Sequence, residues 1–224
     1  MARVIVVGSI NQDVTVTVDR FPAPGETLSG SSLTYGLGGK GANQAAAAAR
    51  SGIPTLFVGA VGTDLAGHSL RTHLAAHGVD VSHLREVDSP SGTALITVAA
   101  SGENTIILDA GANRASSIAH AKASLFPAPS DIVVLQAEIP PAANAAAIEW
   151  AHSFGARVLL NLAPARPTDP ATLSRVDILV VNETEAGLTL GMPAPATPTE
   201  AIGVARALRG MGPRHVVVTQ GAQG

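Results

Sequence analysis

Three strings hold most of the side chains able to do chemistry. Val7-Gly-Ser-Ile-Asn11-Gln-Asp13 ends a β-branched run with an amide and a carboxylate two residues apart. Each hydroxyl of a polyol both gives and takes a hydrogen bond. An Asn, both donor and acceptor, near a carboxylate suits such a ligand. The same residues would also serve a plain turn and strand start, and the string alone leaves both readings open. Gly38-Gly-Lys-Gly-Ala-Asn43 precedes an Ala-rich stretch. Consecutive glycines admit a ligand close to backbone N–H groups, and a helix N-terminus favours an anionic or electron-rich group. It is not a Walker A loop, because Ala42 follows Lys40-Gly41 where that pattern needs Ser or Thr. A glycine-rich helix start without a ligand is the competing reading. Of the 14 basic residues only Lys40 and Lys122 are lysine, which singles out Lys40.

The third string is Val181-Asn-Glu-Thr-Glu185, three polar or acidic side chains after an apolar run. Asn182 and Glu185, three apart on an incipient helix, share a face. They suit a phosphate's hydration shell or Mg²⁺-bound water, since Mg²⁺ keeps most of its waters. An ordinary N-cap with an acidic first turn is the commoner meaning of any single such string. Leu135-Gln-Ala-Glu138 likewise sets a carboxylate just past a buried run, and Val218-Thr-Gln-Gly-Ala-Gln-Gly224 runs a strand into a glycine turn.

Other chemistries are excluded or weak. With no cysteine in 224 residues there is no disulfide framework, thiolate nucleophile or Cys-built zinc site. His73 and His77 are four apart on a helical pattern but lack the metalloprotease Glu and a third ligand. No G-x-S-x-G elbow occurs, and no G-x-G-x-x-G follows the first apolar run, where a dinucleotide fingerprint would stand. A net charge of -3 offers no basic field for nucleic acid or anionic lipid. No apolar run approaches the roughly 20 residues that cross a bilayer. The first residues, MARVIVVGSI, lack a signal peptide's length and cleavage site. The expectation is a cytoplasmic globular protein.

Elements that position these strings follow from periodicity. Near-continuous apolar runs at Arg3–Ile10, Thr55–Val61, Asp131–Leu135, Arg157–Leu162, Val176–Val181 and His215–Thr219 read as strands buried on both faces of a parallel sheet. Helical patterns lie between most of them: Gly38–Arg50, Leu65–His77, Ala142–Phe154, and one opened by a capping box at Thr197-Pro-Thr-Glu200. Alternating polar and apolar stretches at Asp13–Val18, Thr27–Tyr35, Thr93–Ala99 and Asn104–Leu108 read as half-exposed strands. The predicted fold class is α/β, a doubly wound, mostly parallel central sheet flanked by helices. A small β-sheet lid comes from two insertions, approximately residues 13–35 and 91–109. Strand carboxyl ends face the ligand crevice of such a sheet, where Asn11, Asp13, Glu138 and Asn182 would converge. The final buried-type strand stops short of the crossover and further neighbours that a parallel sheet expects.

The strings and their order also carry a resemblance. GSINQD, PGET at Pro24–Thr27, GGKGANQA, GAN at Gly111–Asn113, NLAPA at Asn161–Ala165, NETEA at Asn182–Ala186 and the final TQGAQG resemble the ribokinase-like (phosphofructokinase-B-type) carbohydrate kinases over essentially the whole chain. The Asn and Asp after the first strand place it nearer the family's ribose-using members than the fructose or adenosine ones. The resemblance implies MgATP-dependent phosphorylation of the terminal hydroxyl of a pentose, D-ribose first. Alternatives are deoxyribose, fructose or adenosine as acceptor, or a catalytically inactive truncated sugar-binding module. By the same resemblance Asn11, Asp13, Gly39, Lys40, Gly41, Asn43 and Glu138 bind sugar. Asn182 and Thr219, Gln220, Gly221, Ala222, Gln223 and Gly224 bind ATP, and Glu185 acts on the metal through Mg²⁺-bound water. The lid also pairs two subunits into a homodimer. The family's Gly-Ala-Gly-Asp run, which carries its catalytic base, is absent from these 224 residues. The resemblance implies that this base and the K⁺ loops would lie beyond Gly224, so that the fold is C-terminally incomplete and the segment alone is inactive.

Overall fold

The computed structural model describes residues 2–221. Its central sheet begins with β1 (Val4–Val7), followed by β2 (Asn11–Val18), β3 (Ser32–Gly38), α1 (Lys40–Arg50), β4 (Thr55–Gly62), α2 (Leu65–Ala76) and β5 (Asp80–Val87). Then come β6 (Gly92–Ala99), β7 (Asn104–Asp109), a 3₁₀ turn at Gly111–Ala115, β8 (Ile132–Gln136), α3 (Pro141–Ser153) and β9 (Arg157–Asn161). The last elements are α4 (Pro170–Leu173), β10 (Ile178–Asn182), α5 (Glu183–Leu190), α6 (Pro198–Gly210) and β11 (His215–Thr219).

Seven strands form the main sheet in the order β11-β10-β9-β8-β1-β4-β5. Every registered neighbour pair in it is parallel. The apolar runs explain this, for β4 is buried along its whole length and can only sit between two helical layers. On one face Val6, Phe57, Val61 and Leu84 meet Ala42, Ala45, Ala46, Leu70 and Leu74 of α1 and α2. On the other Ile5, Val7, Val133 and Leu135 meet Ala147, Ile148 and Trp150 of α3 and Leu208 of α6.

From β1 the chain winds outward through β4 and β5, returns, and winds the other way through β8 to β11. The switch point therefore lies between β1 and β8. An ion pair pins that junction at its far end. Arg3 Nη2 lies 2.7 Å from Asp131 Oδ2, whose side chain is fully buried. Burial works against the Asp131 charge. Hydrogen bonds from the Arg3 side chain and from the Ala128 and Arg3 amides nonetheless hold its carboxyl below the ordinary value.

The alternating stretches make a second, four-stranded sheet in the order β3-β2-β6-β7. β2 and β6 run parallel, and the outer pairs are antiparallel. Large apolar side chains stay exposed on it, including Leu33, Tyr35, Ile106 and Ile107.

Three details differ from the sequence expectations. The strand expected over Thr27–Tyr35 runs instead over Ser32–Gly38, because pairing of Thr17 with Ser32 and Asn11 with Gly38 sets the register. β5 is an additional strand whose charged residues masked it; it pairs only with β4 and lies at the edge. At the start of α6, Thr197 Oγ1 accepts the Glu200 amide, but the Glu200 carboxylate accepts from Ala196 N and not from Thr197, so the box is open.

Candidate functional site

β1 and β8 end side by side, and the residues that follow each meet at the switch point. Ser9 is fully buried, and its hydroxyl donates to Glu138 Oε2 at 2.7 Å. That hydroxyl also accepts the Gly41 amide at 3.2 Å, and Glu138 Oε2 accepts the Lys40 amide at 2.9 Å. The Ala42 amide reaches Ser9 O at 2.9 Å. Helix α1 has no side-chain cap of its own. Its orphan N–H groups are therefore satisfied by Ser9 and Glu138, residues brought in from two separate strands. Glycine is required at both flanks of this contact. A Cβ on Gly41 would lie 2.7 Å from Ser9 N and O, and Gly39, at φ +89°, would press one to 2.8 Å from Ile10 Cα.

Asn11 and Asp13 leave the switch point on the same face of β2, as period-two geometry demands. Asn11 is 2% exposed, and its Oδ1 accepts from Asn113 Nδ2 at 2.7 Å. Asn113, from the turn after β7, also accepts the Ile10 amide on Oδ1 at 2.9 Å and donates Nδ2 to Ile10 O at 3.1 Å. The Asp13 carboxylate lies over Gly38, where a Cβ would sit 2.0 Å from Oδ1. Burial, and then the neighbouring Glu138 charge, push the Asp13 carboxyl above its ordinary value.

Across the crevice a cleft of about 540 Å³ is lined by Lys40 and Gln44 from α1, Asn161 from the end of β9, and Asn182, Glu185 and Thr219. Gln44 Nε2 donates to Asn161 Oδ1 at 3.2 Å, and Asn161 Nδ2 donates to Val180 O at 3.2 Å. Asn182 and Glu185 form a complete capping box: Asn182 Oδ1 accepts the Glu185 amide at 2.7 Å, and Glu185 Oε2 accepts the Asn182 amide at 2.9 Å. The capping reading of the string is realised, and the same pair lines the cleft. One Glu185 carboxylate oxygen is spent on the cap. The other suits the hydration shell of a divalent ion that takes few protein carboxylates.

The structure thus gathers Asn11, Asp13, Gly39, Lys40, Gly41 and Glu138 around the carboxyl end of β1, and Asn182, Glu185 and Thr219 around β10 and β11. Asn43 is exposed on α1, and Gln220 and Gly221 follow β11. Ala222, Gln223 and Gly224 lie outside the described residues. A separate groove of about 470 Å³ between Met192 and Ala207 is almost wholly apolar and lies away from these groups. His77 sits against Arg50 at 3.2 Å. Among the described residues no group of three or more His, Asp or Glu side chains is arranged to hold a metal directly.

Ser9, Gln44, Asn113 and Asn161 belong to the site although the sequence reading gave none of them a role; each lay inside a string that carried the resemblance as a whole. All four act through partners about 19 to 129 positions away in the chain, which spacing does not reveal.

A family description, the pfkB family carbohydrate kinases, matches residues 1–224. A ribokinase of Haemophilus influenzae is 38% identical over 221 residues, covering 98% of this chain and 72% of its own length. One from Bacillus subtilis is 38% identical over 226 residues, covering 100% of this chain and 73% of its own. A solved structure of Arabidopsis thaliana ribokinase complexed with ribose and ATP superposes with a TM-score of 0.85 at 33% identity. That match covers 100% of this chain and 74% of the other.

Proposed function

This chain belongs to the pfkB family of carbohydrate kinases, and we propose on that footing that it serves the ATP-dependent phosphorylation of D-ribose to D-ribose 5-phosphate. The observation that carries this reading is the two-sided crevice. Hydrogen-bonding groups suited to a polyol cluster at the β1/β8 switch point, and groups suited to hydrated phosphate line the ends of β9, β10 and β11.

In that crevice Asn11, Asp13, Lys40, Asn43 and Glu138 hold the sugar hydroxyls, with Gly39 and Gly41 leaving room for the sugar against the backbone. Asn182, Thr219, Gln220 and Gly221 border ATP, and Ala222, Gln223 and Gly224 are assigned to it by the resemblance alone. The terminal hydroxyl oxygen bonds to the γ-phosphorus, the bond from that phosphorus to the β–γ bridging oxygen breaks, and the hydroxyl proton passes to a base as ADP leaves. Mg²⁺ supplies charge neutralisation on the phosphates when bound, and Glu185 orders its water. The second sheet, over residues 11–38 and 92–109, acts as a lid that excludes water and keeps ATP from hydrolysis. Its exposed Leu33, Tyr35, Ile106 and Ile107 form a homodimer contact. A cytoplasmic setting fits a cysteine-free chain with no described helix long and apolar enough to cross a membrane.

Calorimetric titration of this chain with D-ribose, 2-deoxy-D-ribose, D-fructose and adenosine tests the acceptor. Tightest binding of D-ribose is expected, and a preference for fructose or adenosine overturns the assignment. Because these residues hold no Gly-Ala-Gly-Asp run, we expect ribose binding without ADP release. Ribose-dependent release would mean that one of the described carboxylates is the base.

A further inference from the structure

We infer that Asn113 is a positioning residue that fixes the Asn11 side chain as a hydrogen-bond donor facing the sugar. The inference rests on the ribose-site reading above and adds the polarity of one of its contacts.

The argument is a chain of forced amide orientations. The Ile10 backbone N–H can only donate, so the Asn113 atom 2.9 Å from it must be the oxygen. The nitrogen of Asn113 then faces Ile10 O at 3.1 Å and the Asn11 side chain at 2.7 Å. Both partners must be acceptors, so Asn11 presents Oδ1 there and turns Nδ2 away. Asn113 is 1% exposed and Asn11 2%, so neither amide is free to exchange its ends with solvent. A flipped Asn11 would set two donors face to face.

Two glycines hold this arrangement open. Asn11 is paired with Gly38 on one side and Gly92 on the other. A Cβ on Gly92 would lie 2.2 Å from Asn113 Nδ2 and 2.3 Å from Asn11 Oδ1, on top of the bond. The space over Gly38 is filled by the Asp13 carboxylate. The Asn11 oxygen is thus committed to the Gly92 side, and its nitrogen is left for the side where Asp13 lies. Among the described residues Nδ2 has no hydrogen-bond partner. A donor-only group beside an acceptor-only group recognises a hydroxyl, which is both, and leaves both groups unpaired when the hydroxyl is replaced by hydrogen.

Side-chain amide exchange in the ¹⁵N-labelled chain without sugar reads the orientation directly. The doubly bonded Asn113 pair should exchange more slowly than the unbonded Asn11 pair, and the reverse order overturns the inference. Ribose calorimetry reads its consequence. In Asn113→Asp the Ile10 bond survives but the donor to Asn11 is lost, Asn11 flips, and ribose binding weakens about tenfold or more while ATP binding holds. Gly92→Ala, which alters neither amide, should do the same by crowding the bond. In an Asn11→Ala background Asn113→Asp should cost nothing further. An equal loss in both backgrounds, or a change below about twofold in the wild-type background, overturns the inference. Failure of the native chain to bind ribose would instead strike down the substrate assignment, with the exchange pattern still deciding the amide orientation.

Discussion

Ser9 Oγ lies 2.7 Å from Glu138 Oε2 across the switch point of the sheet, joining residues 129 positions apart. The same hydroxyl accepts the first-turn amide of α1 at Gly41. One buried serine therefore fixes a candidate sugar-binding carboxylate and the helix that carries Lys40. Ser9→Ala leaves the Gly41 N–H buried without a partner, which costs about 1–3 kcal/mol. It also leaves Glu138 held only by the Lys40 amide. The expected result is a lower denaturation midpoint with weaker ribose binding. Unchanged ribose affinity in the variant would show that Glu138 does not depend on this contact.

Asp13 makes the opposite trade. Its carboxyl is pushed above the ordinary value by burial and by Glu138, so the folded state holds its proton more tightly than the unfolded state does. Stability from this group is full below the ordinary carboxylate range and declines as pH rises through the raised value. Asp13→Asn should therefore raise the melting temperature at neutral pH and change it little in strong acid. On the proposed reading the ionised form is the acceptor for sugar hydroxyls. Ribose binding by the native protein should weaken on acidification earlier than an ordinary aspartate would cause. A variant no more stable than the native chain at neutral pH would remove the claim of a destabilised carboxylate.

These two residues show how far the sequence could be read. Asp13 stood out because a carboxylate two residues after an Asn, at the end of an apolar run, has a restricted set of uses. Ser9 did not, because serine is common and its two partners lie just past β8 and on α1. The buried strands were legible from their β-branched runs, whereas β5 was not, since an edge strand exposes polar residues that break the pattern. The same limit applied to Asn113. Its string was visible, but its contact with Asn11 exists only once β2 and the turn after β7 are folded together.

Glu185 allows its two roles to be separated. Its carboxylate accepts the Asn182 amide as half of a capping box, and the residue also lines the phosphate-side cleft. Glu185→Gln keeps an amide oxygen for the cap and removes the charge. The stability cost should be limited to the helix-terminus charge effect, about 0.3–1 kcal/mol. If the carboxylate orders Mg²⁺-bound water, binding of a fluorescent ATP analogue should lose its Mg²⁺ enhancement. Retained enhancement with lowered stability would leave Glu185 a capping residue and nothing more.

Lys40 stands where the two sides of the crevice meet. Its amide is bound to Glu138 Oε2, and Gly39 before it presses against Ile10 and Asn11, so the residue is rooted at the sugar end. Its side chain lines the cleft with Asn182, Glu185 and Thr219. Lys40→Met keeps most of the stem and removes the ammonium, separating charge from packing. A hydrogen bond from a charged donor contributes roughly 1.5–3 kcal/mol, so ribose affinity should fall about tenfold or more. ATP affinity should fall less, because the proposed nucleotide contacts lie at the ends of β10 and β11. Parallel calorimetric titrations with each ligand decide the matter. A larger loss for ATP than for ribose would move the ammonium to the phosphates and leave sugar recognition to Asn11, Asp13 and Glu138.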